Sequence, residues 1–172
     1  MKVIGIDPGI SSTGIGIVSG RGVTVNAHAY GSIHTSSATP LAGRLGCIHR
    51  KLLELLRREK PDLLVIEDVF SLKEYPKSGI ILGQVSGIVL LAGHQAGVSA
   101  VQIPVREAKQ VLTGNGNAAK AQLEKAVRSL LEITTPIRPY HASDALGLAL
   151  IGLYRYSRGK FSRSLETEPA NK

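Results

Sequence analysis

Asp7 in VIGIDPG, Glu67 in LLVIEDVF and Asp144 in HASDALGLAL are carboxylates in settings that disfavour a bare charge. Asp7 and Glu67 each close a short, apolar, β-branched run, the signature of a buried, parallel strand near the middle of a sheet. Asp144 opens a segment with apolar residues at helical spacing. A carboxylate at the end of a buried strand is costly to desolvate unless something compensates it. No Lys or Arg adjoins any of the three in sequence. A divalent cation shared by several carboxylates supplies that compensation and a hydrolytic chemistry with it. His141 lies three residues before Asp144, so the two share a helix face and make four candidate ligands. Oxygen ligands suit Mg2+, and one imidazole makes Mn2+ at least as acceptable.

Each piece has a plainer reading. Asp7-Pro8-Gly9 is turn chemistry, Glu67-Asp68 can be a solvated strand end, and Ser143 or Asp144 can cap a helix. The combination points to a site: two acids after apolar strands and an acid–His pair opening the last amphipathic helix. GIDPGISSTG also suits a phosphate cradle of backbone N–H groups, as at the start of sugar kinases, actin and Hsp70. Those proteins duplicate the fold around a cleft, and 172 residues cannot hold two copies.

The acids need a scaffold. Residues 2–7, 14–19 and 23–33 read as strands, the last two joined by a hairpin turn at Gly20-Arg21-Gly22. Over 41–60 a helical stripe of Leu41, Leu45, Ile48, Leu52, Leu55 and Leu56 opposes basic residues, and Pro61 ends it. Strands at 62–67 and 98–103 bracket a helix at 78–96. Helices follow at 105–112, 118–132 and 141–157, with a loop at 113–117. This order describes an α/β fold: a mixed five-stranded sheet flanked by helices, in the ribonuclease H-like arrangement. There the first and fourth strands are parallel neighbours, so Asp7 falls beside Glu67. Residues 1–157 read as one domain and 158–172 as a polar, basic, flexible tail.

Composition bounds the partners. The chain is 43% hydrophobic and 20% charged, globular rather than disordered. Its net charge of +8 points to a polyanion such as nucleic acid. One cysteine, Cys47, excludes an internal disulfide, and no signal peptide precedes the first strand; both suit the cytoplasm. Ile80–Ala92 is apolar, but it is shorter than the roughly 20 residues of a membrane span and carries Gln84 and Ser86. A buried or interface helix fits it better, and no membrane partner is expected. Gly79, Gly83 and Gly87 recur every four residues there, a face for the protein's own sheet or for a two-fold mate.

Gly114 and Gly116 lie in a Gly-rich loop running into Lys120. It is not a P-loop, because the Lys is displaced and no Ser or Thr follows it. Exposed amides there, with Lys120, suit a nucleic-acid phosphate; the alternative is a plain turn. Phe70 and Tyr75 are scarce aromatics near Glu67, suited to stacking on an unpaired base or, for Phe70, to the core.

Taken together, IGIDPG…TGIGIV, VIEDVF, LGQ at 82–84, EAKQVLTGNGNAAKAQ and HASDALGLAL closely resemble the RuvC-type Holliday-junction resolvases from residue 2 to about 157. The resemblance implies a Mg2+-dependent, homodimeric nuclease of ribonuclease H-like fold. Such an enzyme nicks two strands of a four-way DNA junction, leaves 5′-phosphate ends, and works with the RuvA–RuvB branch-migration complex. It makes Asp7, Glu67 and Asp144 metal-binding carboxylates and places His141 where members have a carboxylate or a histidine. Lys109 and Lys120 match basic residues used against DNA, and Phe70 the aromatic near the junction centre. The chain departs from the pattern at Ser86, where members often carry Arg, and over SLKEYPKSG at 71–79. Both changes bear on junction fit and sequence preference more than on metal chemistry. The other class of reading is a non-catalytic DNA-binding protein on the same fold, against which the presence of all three acids argues.

Overall fold

A computed structural model describes residues 1–68 and 76–157. Strands β1 (Lys2–Asp7), β2 (Ser12–Arg21) and β3 (Thr24–His34) form an antiparallel meander. Helix α1 (Leu41–Glu59) crosses over to β4 (Leu63–Glu67), which pairs parallel with β1. Helix α2 (Pro76–Gln95) leads to β5 (Ala100–Ile103), parallel to β4. Helices α3 (Val105–Thr113), α4 (Lys120–Leu130) and α5 (Tyr140–Tyr156) complete the described chain. The sheet order is β3-β2-β1-β4-β5, the mixed five-stranded arrangement expected from the sequence.

Strand alternation divides the core between two layers. Val3, Leu63 and Val65 pack on the α3–α4–α5 side with Leu146, Ala149, Leu150 and Leu153. Ile4, Ile6, Leu64 and Ile66 pack on the other side with Ile48, Leu52 and Leu56 of α1 and Val85, Val89 and Ala92 of α2. These four β1 and β4 isoleucines and leucines have no exposed surface, and each contributes about 1.5–3 kcal/mol by burial. Leu41, expected in the α1 stripe, lies at the helix start and is exposed. Lys60 ends α1 in the left-handed region, its N–H bonded to the Leu56 carbonyl.

The β2–β3 turn falls two residues later than the Gly20-Arg21-Gly22 signal implied. Arg21 still pairs with Thr24, and Gly22-Val23 makes the turn. Gly22 has φ +61°, the left-handed conformation a two-residue hairpin demands, while Gly20 sits at a β-bulge.

Helix α5 is buried along almost its whole length, from Ala142 to Leu153. It lies directly on β1 and β2 because those strands carry glycine beneath it. A Cβ on Gly5 would overlap the Ala145 carbonyl, one on Gly14 the His141 carbonyl, and one on Gly16 the Leu146 backbone. Gly5 and Gly16 are cross-strand partners, and Gly14 faces Asp7 across the same ladder. The glycines form a side-chain-free floor that lets the helix backbone touch the sheet.

Candidate active site

The acids meet at the C-terminal ends of the two central parallel strands. Ile6 and Ile66 are register partners, so Asp7 and Glu67 follow them side by side. The glycine floor brings the first turn of α5 over Asp7. His141 Nδ1 lies 2.5 Å from Asp7 Oδ2. In the neutral imidazole this contact places the proton on Nδ1, donating to the carboxylate, and leaves the Nε2 lone pair free. Asp7 and Asp144 are each only 6% exposed, whereas His141 and Glu67 are half-buried.

The charges are mutually frustrated. Burial pushes the Glu67 carboxyl up to about 9, helped by a hydrogen bond to Asp7 and by the charges of Asp7 and Asp144. Burial, then the Asp7 charge, raises Asp144 to about 6. The Asp7 hydrogen bond raises His141 above its ordinary value, against the opposing effect of burial. The charge of Lys120 acts on Glu67, Asp144 and His141, and that of Lys109 on Asp144, so both lysines are within electrostatic reach of the site.

The residues fit a divalent cation. Asp144 Oδ1 is buried without a hydrogen-bond partner, an orphaned acceptor aimed among like charges. A cation would satisfy that oxygen and relieve the repulsion among the acids. Among the described residues, no three His, Cys, Asp or Glu side chains close into a finished cage.

The Gly-rich loop does not present the exposed amides expected of it. Its amides are spent inside the protein: Gly114 N–H on the Gln110 carbonyl, Asn115 on Thr113 Oγ1, and Gly116 on Gln110 Oε1. Asn117 N–H donates to Asn115 Oδ1, Ala118 to the Asn115 carbonyl, and Ala119 to Gln122 Oε1. Gly114 has φ +74° and ends α3. The loop is a prefolded turn that starts α4 at Lys120, not a cradle of free amides. Phe70 and Tyr75 lie outside the described residues.

Two features went unread in the sequence. The glycines at 5, 14 and 16 were legible only as small residues within strands, although their alternate spacing marks one face. Arg138 stacks 4.2 Å over the Tyr140 ring immediately before His141, a contact with no periodic signal.

A β3-β2-β1-β4-β5 mixed sheet with acids ending β1 and β4 and a third on an overlying helix defines a ribonuclease H-like protein with a carboxylate site. The model of the family described as crossover junction endodeoxyribonuclease RuvC matches residues 3–152. The chain belongs to that family. It is 38% identical to a crossover junction endodeoxyribonuclease RuvC of Chlorobium phaeovibrioides, over 96% of this chain and 88% of the relative. It is 34% identical to that of Syntrophomonas wolfei, over 100% and 99%. The structure of Thermus thermophilus RuvC in complex with a Holliday junction substrate superposes with TM-score 0.82 at 34% identity, over 90% of this chain and 93% of that one.

Proposed function

We propose that the chain is a metal-dependent endonuclease that resolves four-way DNA junctions by paired symmetric nicks. The observation that carries this reading is the buried, unpartnered Asp144 oxygen beside Asp7 and Glu67, in a member of a junction-nuclease family. Asp7, Glu67 and Asp144 hold the metal, with His141 joining as a ligand or moving a proton at Nε2. These residues would hold Mg2+, two ions per site with Mn2+ able to substitute, and the metal would supply an activated water and stabilisation of the leaving 3′ oxygen, for 5′-phosphate ends. Asp7 is the acid whose charge acts on both Glu67 and Asp144, and it would hold the metal between them. Asp7 also orients the His141 ring through Nδ1.

Residues 1–157 form the nuclease domain and 158–172 a basic tail. Lys109 and Lys120 meet backbone phosphates, and the Gly114–Gly116 turn lets the duplex approach them closely. Phe70 and Tyr75 stack on bases at the open centre of the junction. The two symmetric strands of a junction call for two sites, hence a homodimer. Helix α2 supports that assembly: Gly83 and Gly87 are exposed with open space where a Cβ would stand, and Ile80, Leu90 and Leu91 lie open on the same helix. By length and hydropathy this helix could cross a membrane, but Val85, Val89 and Ala92 seat it on the sheet. The RuvA–RuvB branch-migration complex is the expected partner, in a bacterial cytoplasm.

The test is nicking of a synthetic four-way junction with and without Mg2+, with product ends mapped. Metal-dependent, symmetric cuts with 5′-phosphates are expected. Tight junction binding with no metal-dependent cut would instead establish a DNA-binding protein on the same fold.

A further inference from the structure

Glu124, on α4, is a carboxylate that the acidic site does not use, and only 6% of it is exposed. Its Oε1 accepts the Ile137 N–H at 2.9 Å and lies 3.3 Å from Arg128 Nε. Arg128 Nη1 donates to the Thr134 carbonyl at 3.2 Å, and the Arg128 carbonyl accepts the Ile133 N–H at 3.0 Å. The segment after α4 is therefore tied to that helix at Ile133, Thr134 and Ile137. Ile137 is fully buried in the same core as Leu123 and Val127. Four residues further on comes His141, and Asp144 follows one turn later.

The use of ions here needs a reason. A buried Glu–Arg pair is often no more stabilising than apolar residues of similar volume, whereas one left without its partner is costly. What Glu124 offers that leucine cannot is an acceptor for a loop N–H together with a negative charge 3.3 Å from the Arg128 guanidinium. Lys120, Glu124 and Arg128 are spaced four residues apart, so they form one stripe of α4. That stripe carries both the lysine whose charge reaches the acids and the pair that fixes the approach to α5.

Resting on the nuclease reading above, we propose that Glu124 and Arg128 are positioning residues that set the 131–139 connection so that α5 delivers His141 and Asp144 to Asp7. The pair works through geometry rather than by touching metal or DNA. A misplacement of about 1 Å at the metal ligands is enough to slow a reaction about 100-fold.

The test compares Glu124→Leu and Glu124→Gln in the full chain, since glutamine keeps the oxygen acceptor and drops only the charge. Nicking at saturating junction, junction affinity without metal, and amide exchange of the metal-free protein are measured on the same preparations. Glu124→Leu should slow nicking about 10- to 100-fold with junction affinity unchanged. It should also speed exchange at residues 137–144 about tenfold while the β1 and β4 amides keep their protection. Glu124→Gln should recover most of both effects. Wild-type rate and exchange in Glu124→Leu, equal damage in the two variants, or exchange loosened across the whole sheet would each overturn the proposal. If Glu124→Leu does not fold, Arg128→Gln must show the same local pattern in milder form, and wild-type behaviour there overturns it as well. A wild-type protein that fails to nick junctions counts against the nuclease reading alone, because the exchange measurement still decides the positioning role.

Discussion

His141 Nδ1 and Asp7 Oδ2 are 2.5 Å apart, joining the first turn of α5 to the end of β1 across 134 residues of sequence. This contact ties the carboxylate cluster to the imidazole. It also makes the protonation of one residue depend on the other.

Asp7→Asn should therefore do two things. It should reduce nicking by about 1,000-fold or more, since a central metal ligand is lost, while junction binding is kept or tightened. It should also lower the His141 pKa, because the Asp7 hydrogen bond is the largest influence raising it. Gel shift, nicking and an NMR titration of the His141 ring check both. Retained Mg2+-dependent nicking would falsify the assignment of Asp7.

Metal and protons should compete. The folded pKa of Glu67 stands near 9 against an ordinary 4.5, and that of Asp144 near 6 against 3.8. Both are raised, so the metal-free fold binds more protons than the unfolded chain. Its stability from these groups is retained below about pH 4 and lost as pH rises to 6 for Asp144 and to 9 for Glu67. Mg2+ should thus raise Tm more at pH 8.5 than at pH 6 and release protons on binding at neutral pH. Glu67→Gln should flatten the pH dependence. Thermal melts with EDTA or Mg2+ measure it, and equal Mg2+ stabilisation of the wild type at both pH values would contradict the linkage.

Gly14→Ala should push α5 off the sheet, because the added methyl would overlap the His141 carbonyl. A stability loss of about 1–3 kcal/mol is expected, with a larger proportional loss of nicking as His141 and Asp144 shift. Gly46→Ala, on α1 with open space around it, serves as the control. Urea denaturation and nicking of both variants decide the matter; equal behaviour of the two would reject the glycine-floor argument.

Lys109→Ala and Lys120→Ala should each weaken junction binding and reduce the log–log salt slope by about 0.9, one phosphate contact each. The charges of both lysines reach Asp144. Binding measured over a salt series tests this, and unchanged slopes in both variants would remove the phosphate role.

Gly83→Leu should lower dimerisation and paired cleavage, because the exposed small-residue face of α2 would no longer admit a second backbone closely. Light scattering, a far-UV spectrum and product counting on a cruciform plasmid separate this from misfolding. A wild-type protein that stays monomeric at micromolar concentration yet still cuts in pairs would count against the dimer.

Much of this molecule is written in local sequence. Apolar β-branched runs set β1 and β4, and their alternation sends Ile4 and Ile6 to one layer and Val3 to the other. The carboxylates at Asp7, Glu67 and Asp144 stood out because buried acids without neighbouring cations are rare by composition alone. Turn position was less legible, since Gly20 and Gly22 look alike in sequence and only the strand register selects the one with positive φ. The free amides expected of the Gly114–Gly116 loop were lost to Gln110, Thr113, Asn115 and Gln122, partners whose reach depends on the folded turn. The meeting of His141 with Asp7 was open to the sequence only as a possibility. Its distance is set by three glycines on two strands and by the connection tied to Glu124, all through-space contacts that exist only once α5 has packed on the sheet. Residue type determined which chemistry was possible, and tertiary packing decided which atoms would share it.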